Sequence, residues 1–187
     1  KSLAASYFKD LGAFIIDADL ICRQLVVPYK PAWKEIVGQF GKKYLNFDKT
    51  LNRSKLAIEI FQNDIKRATL ESILHPRVIA EEKNIYFDCQ KLDPQAIVII
   101  DSALLIESKN YKNVDKVIII KSNEELQIKR VMNRDNKSRA AVKKRIQSQM
   151  SLEKKMIYAD YSIDNTNNRD LLKIQINKLY TTLKSFL

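Results

Sequence analysis

The sequence predicts an α/β protein with a parallel β-sheet that is flanked by helices. Three short apolar runs without polar alternation are typical of strands buried on both faces, namely Phe14–Asp17, 96–101 and 117–120. Helical patterns separate these runs, as in sheets built from strand–helix–strand units. The first two runs end in carboxylates, Asp17 and Asp101. Because ligands bind beyond the carboxyl ends of parallel strands, we expect the functional site at that edge.

The composition narrows the class of protein. With 187 residues, 45% of them hydrophobic, the chain can form one domain with an insertion. The mean hydropathy of -0.30 is that of a soluble protein, and no apolar run reaches the ~20 residues of a membrane helix. Cys22 and Cys89 show neither disulfide nor metal-ligand spacing, and a single His75 argues against zinc. We therefore expect a cytoplasmic protein without a signal peptide or a membrane partner.

Positive charge is concentrated in one segment. The chain has a net charge of +11, and residues 121–155 hold eleven Lys or Arg against four acidic residues. Such a segment suits phosphate binding, and the phosphates belong either to a nucleotide or to a nucleic acid. The segment lacks the interleaved aromatic residues on which bases stack, which argues against the second alternative.

The chain opens with a predicted helix. Leu3, Tyr7 and Leu11 recur at helical spacing, and Gly12 is a natural stop. A Lys1-Ser2 pair at a helix start, followed by a buried strand, is what remains of G-x-x-x-x-G-K-[ST] when its front is removed. The alternative is a chance dipeptide. On the first interpretation we expect an apolar strand and a glycine-rich loop upstream of Lys1 in the native chain.

The residues after the first strand predict a helical block. Asp19 either caps a helix that begins near Leu20 or serves the site, and that helix ends before Pro28. Further helices are predicted over 31–41, 51–61 and 65–90, the last interrupted where Pro76 begins a new first turn. This block is too long for a plain crossover, so we interpret it as an inserted substrate-binding region.

The remaining elements complete the α/β pattern. Helices are predicted over 123–133 and 138–156, followed by a strand over 161–164. A closing helix over 170–186 is expected to turn Leu171, Ile174, Leu179 and Leu183 inward.

These residues resemble, in order, the motifs of the dephospho-coenzyme A kinases, a family of P-loop kinases. The resemblance spans nearly the whole chain, and two of its departures are Ala103 in place of Pro and Thr166 in place of Gly. A third departure is the absent front of the glycine-rich loop. The matching pieces are Asp17-Ala18-Asp19, Pro31-Ala32, Phe40-Gly41, Leu51-Asn52-Arg53 with Leu56, Leu74-His75-Pro76, Leu104-Leu105 with Glu107, Arg145-Ile146 with Gln149, Glu153-Lys154, Ala159-Asp160 and Ile163-Asp164-Asn165.

The resemblance implies a P-loop NTPase-like fold and ATP-dependent phosphorylation of the ribose 3′-hydroxyl of dephospho-coenzyme A, with Mg²⁺ between the phosphates. It also implies a division of the chain into a nucleotide-binding core (1–27, 94–132 and 157–187), a helical acceptor-binding region (28–93) and a lid (133–156). The alternatives are another P-loop kinase that acts on a nucleoside or nucleotide, and the basic nucleic-acid-binding module. The sequence does not specify the oligomeric state.

The resemblance assigns the reacting groups. Asp19 matches the family's base, with a helix cap or a ribose-binding acid as the alternative. Lys1 would bridge the β- and γ-phosphates, and Ser2 would bind Mg²⁺ through its hydroxyl, with Leu3 beside them at the nucleotide. Asp101 would be the metal's acidic partner. Asp17 is a second candidate for that role, and either acid is otherwise simply solvated.

The resemblance also assigns binding residues. Arg134 and Arg139, with Arg130 as a further candidate, would contact the triphosphate from the lid, because a planar guanidinium grips phosphate oxygens in two places. The alternative is a solvated helix face. His75 and Arg53 would bind the acceptor, unless His75 is a packed residue and Arg53 pairs with a helix-end acid. Asn165 would contact adenine, or is a plain turn residue.

Overall fold

The structure is a computed structural model that describes residues 1–136, 138–166 and 168–187. The described chain alternates helices and strands, which confirms the predicted α/β class. The elements are α1 Ser2–Asp10, β1 Phe14–Asp17, α2 Ala18–Leu25, α3 Pro31–Phe40, α4 Arg53–Gln62, α5 Asp64–Leu92, β2 Val98–Asp101, β3 Ile118–Lys121, α6 Glu124–Asp135, α7 Arg139–Gln147, α8 Leu152–Met156, β4 Tyr161–Asp164 and α9 Arg169–Lys184.

Within these residues the strands form two pairs. β1 pairs with β2, and β3 pairs with β4. The second pair is parallel, with Ile118 opposite Tyr161 and Lys121 opposite Asp164. The parallel register places the carboxyl ends of β3 and β4 side by side, as expected for a sheet that presents a site at that edge.

The chain divides into two compact units. The first contains residues 1–15, 95–99 and 103–187, and the second contains residues 16–94 and 100–102. The carboxyl ends of β1 and β2 therefore both belong to the second unit, together with the helical block.

The first unit is built around the packing of α1 against α9. Phe8 of α1 contacts the ring of Tyr180 at a centroid distance of 6.5 Å. The buried face of α9 comprises Leu172, Ile176, Leu179 and Tyr180, positions that recur at helical spacing. The expected inward positions of Leu171 and Ile174 are wrong, because these side chains are 46% and 62% exposed.

The second unit is organised by α5, against which α2, α3 and α4 pack. Its core comprises Val26, Ala32, Trp33, Ile36, Tyr44, Leu51, Leu56 and Ile73. Although α5 has 29 residues, no helix of the described chain is long and apolar enough to cross a membrane.

The expected interruption of α5 at Pro76 is wrong, since the helix continues through this residue. Pro76 lacks the N–H that would bond to the preceding turn. The carbonyl that lacks its helical partner is that of Ser72, four residues before Pro76. Helix α5 continues across this site because α2, α3 and α4 pack against it. Close by, the Arg77 guanidinium donates to the Ile73 carbonyl oxygen at 2.5 Å and to Glu35 of α3 at 2.7 Å.

The single helix expected over 138–156 is also wrong, because α7 and α8 are separate helices. Ser151 caps α8 by accepting the Lys154 N–H at 3.4 Å. The Met150 N–H, in the break between the helices, donates to the Glu107 Oε1 at 3.0 Å. A side chain distant in sequence thus satisfies the backbone of this corner.

Candidate active site

The first turn of α2 carries two carboxylates with different surroundings. The Asp17 Oδ1 accepts the Leu20 N–H at 2.9 Å, so Asp17 is the helix cap. The alternative in which Asp19 caps a helix beginning near Leu20 is wrong, because α2 begins at Ala18. The Asp19 side chain is exposed, and none of the described residues donates a hydrogen bond to it. Its carboxylate is therefore available to a ligand.

The Cys22 thiol, three residues after Asp19, is influenced by two residues of the predicted set. Burial raises the pKa of this thiol, the Arg53 charge lowers it, and the Asp19 charge raises it. Arg53 begins α4, whose cap Asn52 accepts the Lys55 N–H at 2.9 Å. Nothing in the sequence pattern had singled out Cys22.

His75 lies within α5 and is half-buried. It immediately precedes Pro76 in the middle of this helix. In the part of the chain that the structure describes, no hydrogen bond or ion pair joins His75 to Asp19 or Arg53. His75 therefore shares the second unit with these residues without a direct contact to them.

Asp101 is the last residue of β2 and is half-buried. It belongs to the second unit, as does Asp17 at the end of the paired strand β1. Among the described residues no group of three His, Cys, Asp or Glu side chains is arranged to hold a metal ion.

The start of α1 presents backbone N–H groups. Lys1 occupies the cap position without a side-chain cap hydrogen bond, and its carbonyl oxygen accepts the Ala5 N–H at 2.9 Å. Lys1 and Ser2 are exposed, whereas the Leu3 side chain packs against the core of the first unit. Leu3 can thus contribute only its backbone to a ligand. A helix N-terminus without a side-chain cap attracts anions.

Two of the predicted lid arginines are paired with carboxylates. The Arg134 Nε donates to Asp135 at 2.6 Å, and the Arg139 guanidinium donates to Glu125 of α6 at 2.6 Å. The hydrogen bond from Arg139 lowers the pKa of Glu125 below its usual value. The Arg139 and Glu125 side chains are 56% and 70% exposed, so solvent and salt screen their attraction.

Arg130 and Asn165 contact each other. The Arg130 guanidinium donates to the Asn165 carbonyl oxygen at 2.7 Å, and the Asn165 N–H donates to the Lys121 carbonyl oxygen at 2.8 Å. Asn165 is buried. Arg130 thus fixes the segment after β4 in place, a role that the sequence pattern did not indicate.

The predicted residues fall into two groups. The first unit holds those assigned to the nucleotide, namely Lys1, Ser2, Leu3, Arg134, Arg139 and Asn165. The second unit holds those assigned to the acceptor, namely Asp19, Arg53 and His75, together with Asp101, whereas Ser2, also assigned to the metal, belongs to the first unit.

Comparison with known proteins identifies the family. A sequence model described as dephospho-CoA kinase matches residues 1–170. A dephospho-CoA kinase from Gamma-proteobacterium EBAC31A08 is 35% identical over 181 residues, which cover 97% of this chain and 90% of that protein. A dephospho-CoA kinase from Bacillus anthracis is 39% identical over 165 residues, covering 88% of this chain and 82% of that protein.

A solved structure agrees with these sequences. The dephospho-CoA kinase from Campylobacter jejuni superposes with a TM-score of 0.66 at 30% identity, covering 98% of this chain and 91% of that chain. The family model and the relatives cover most of the chain, including α1, the helical block and the strand ends described above. This chain belongs to the dephospho-CoA kinase family.

Proposed function

We propose that this chain transfers the γ-phosphoryl group of ATP to the ribose 3′-hydroxyl of dephospho-CoA and so forms CoA. The observation that carries this proposal, beside the family, is the pair of carboxylates at the start of α2. Asp17 satisfies the helix end and leaves Asp19 exposed and, among the described residues, without a hydrogen-bond donor. An exposed carboxylate without a hydrogen-bond donor suits a base that accepts the proton of a substrate hydroxyl group.

Asp19 is the base in this reaction. As the 3′-hydroxyl oxygen bonds to the γ-phosphorus, the bond from that phosphorus to the β–γ bridging oxygen breaks and ADP leaves. The hydroxyl proton passes to a carboxylate oxygen of Asp19. A positioned base contributes about 10²–10⁴-fold to the rate, and it must lie within hydrogen-bond reach of the proton.

Arg53 and His75 hold the acceptor. Arg53 begins α4 and is exposed, so its guanidinium can grip the phosphate oxygens of dephospho-CoA in two places. The charges of Arg53 and Asp19 both reach the Cys22 thiol, which supports placing phosphate recognition near the base. His75 offers a ring nitrogen to the same substrate.

The start of α1 and the lid hold the nucleotide. Lys1, the Ser2 hydroxyl and the backbone N–H groups up to Leu3 bind the phosphates at the helix end. Arg134 and Arg139 exchange their carboxylate partners for phosphate oxygens when residues 133–156 cover the nucleotide. Asn165 borders the adenine.

The available donor set fits Mg²⁺. This ion prefers hard oxygen ligands, and it is usually bound by one or two carboxylates together with substrate phosphates rather than by protein groups alone. The Ser2 hydroxyl and the Asp101 carboxylate would supply such oxygens. Mg²⁺, when bound, would neutralise charge on the phosphates. Cys22 and Cys89 are both free thiols, which supports a reducing compartment such as the cytoplasm.

A coupled assay of ADP release tests the proposal. The protein expressed from its full reading frame is offered dephospho-CoA, adenosine or AMP with ATP and Mg²⁺, and ³¹P NMR locates the phosphate in the product. We expect the fastest turnover with dephospho-CoA and a phosphate on the ribose 3′-oxygen. Faster turnover of adenosine or AMP, or a phosphate at another position, would refute the assignment.

A further inference from the structure

A buried ion pair lies at the corner between α7 and α8. The Lys155 Nζ lies 2.9 Å from the Glu107 Oε1, and the two side chains are only 16% and 21% exposed. The Glu107 Oε1 also accepts the Met150 N–H at 3.0 Å, and the Lys155 Nζ donates to the Ala103 carbonyl oxygen at 3.0 Å. We call these two side chains the clasp.

The clasp is an inefficient way to stabilise the folded state. Withdrawing two charges from water is costly, and well-packed apolar residues of similar volume often stabilise a protein as well or better. The Glu107 Oε2 is buried, and among the described residues it has no hydrogen-bond partner. This unsatisfied oxygen adds a further cost. The clasp instead fixes the orientation of two backbone groups, because each accepts a hydrogen bond from, or donates one to, a charged side chain.

The positions of the two fixed backbone groups, the Ala103 carbonyl and the Met150 N–H, indicate what the clasp holds together. Ala103 follows Asp101, the carboxylate that ends β2, by two residues. Met150 lies in the break after α7, the helix that begins with Arg139. The clasp thus joins the loop that follows β2 to the base of the helix that carries a predicted phosphate-binding arginine. A rigid α7 of nine residues would carry a small shift at Met150 along its length to Arg139.

We propose that Glu107 and Lys155 are positioning residues: the clasp holds the 103–107 loop and the α7–α8 corner as one body and so sets the place of Arg139 during phosphoryl transfer. The proposal rests on the proposed function for its effect on turnover. A misplacement of about 1 Å in a catalytic constellation can cost about 10²-fold in rate. Loss of the clasp should therefore lower kcat rather than acceptor binding.

The decisive variant is the double substitution Glu107→Gln with Lys155→Met. It removes both charges at nearly constant volume, and the amide oxygen of Gln can still accept the Met150 N–H. The single variants each leave one buried charge unpaired and are expected to unfold more readily. Lys155→Arg keeps the positive charge, so this variant should retain part of the turnover that the double variant loses. Lys144→Met, an exposed substitution in α7, is the matched control.

Three measurements decide the proposal. We expect the double variant to keep the parental unfolding midpoint, to lose about 10–100-fold in kcat, and to keep the parental KM for dephospho-CoA. We also expect faster amide hydrogen exchange at residues 103–107, because the Lys155 hydrogen bond to the Ala103 carbonyl oxygen is lost. Parental kcat in the double variant, or unchanged exchange at residues 103–107, would overturn the clasp. A parent protein inactive on dephospho-CoA would refute the proposed function, and the exchange data alone would then decide whether the clasp holds the two segments together.

Discussion

The two carboxylates at the start of α2 allow the base to be tested against an internal control. Asp19→Asn and Asp17→Asn make the same chemical change two residues apart. The structure predicts opposite outcomes, because Asp17 accepts the Leu20 N–H whereas Asp19 is exposed and has no hydrogen-bond donor among the described residues. An Asn side chain caps a helix as well as Asp does, but it cannot accept a proton from a hydroxyl group at neutral pH.

The magnitudes follow from these contacts. Asp19→Asn removes a negative charge from the first turn of α2, which costs ~0.5 kcal/mol of stability through the helix dipole. The same change removes the base, so kcat should fall about 10²–10⁴-fold. Asp17→Asn should leave kcat within about threefold, since the cap is preserved. Asp17→Ala removes the cap and costs ~1 kcal/mol, or about 2–4 °C in Tm for a chain of this size.

Coupled ADP release and thermal unfolding, measured on the same preparations, distinguish these effects. A fall in kcat without a matching fall in Tm for Asp19→Asn would identify a chemical role. If folded Asp19→Asn retains near-parental kcat, Asp19 is not the base. A large loss of kcat in Asp17→Asn would instead show that the capping carboxylate also takes part in the reaction.

Three further predictions follow from the arginines and from the strand ends. Arg139→Ala should lower kcat about 10²-fold with little change in the KM for dephospho-CoA, because the charge it meets develops on the transferring phosphoryl group. Glu125→Gln is the control. If Arg139→Ala changes only the KM for dephospho-CoA, Arg139 belongs to the acceptor site instead. Arg53→Ala should raise the KM for dephospho-CoA about tenfold through a lost charge-assisted contact, and an unchanged KM would exclude Arg53 from that site. The hydrogen bond from the Val117 N–H is the main cause of the lowered pKa of the Asp160 carboxyl group. The resulting stabilisation of the folded state is present above the ordinary pKa of Asp and is lost as the pH falls through the lowered value. Asp160→Asn should therefore lower the Tm at neutral pH, and its difference in Tm from the parent should shrink as the pH falls below the ordinary pKa of Asp. A difference that stays constant in acid would contradict this reasoning.

The strands were predictable because local chemistry determines them. The unalternating apolar run that ends at Asp17 gives β1 with the predicted bounds, and β4 likewise ends at Asp164 as expected. Gly12 follows α1 with a positive φ of 102°, the helix stop that its position predicted. Gly41, expected inside a helix over 31–41, instead follows the last residue of α3 with a φ of 88°.

The errors arose where contacts distant in sequence decide the local structure. Pro76 predicts a helix boundary by its own chemistry, but α2, α3 and α4 pack against α5, and the helix continues through the proline. The break between α7 and α8 depends on Glu107, which lies 43 residues before Met150. Contacts of this kind leave no periodic signal in the chain.

The candidate site was likewise predicted only in part from the sequence. The sequence placed two acids after β1 but did not tell which one caps the helix, since either side chain could have reached a first-turn N–H. The hydrogen bond from Leu20 to Asp17 settles that point. Both side chains are exposed, but Asp19 has no hydrogen-bond donor among the described residues, which is why it is the proposed base.

The ion pair between Arg139 and Glu125 bears on the proposed binding of a nucleotide by this guanidinium. The exposed Glu125 carboxylate accepts a hydrogen bond from Arg139 at 2.6 Å, and this orients the guanidinium. Because exposed ion pairs contribute little to stability, a triphosphate with several oxygen atoms can displace Glu125 at small cost. Glu125→Gln should consequently lower the KM for ATP by a factor of about two to five. A raised KM would mean that Glu125 orients Arg139 for the nucleotide rather than competing with it.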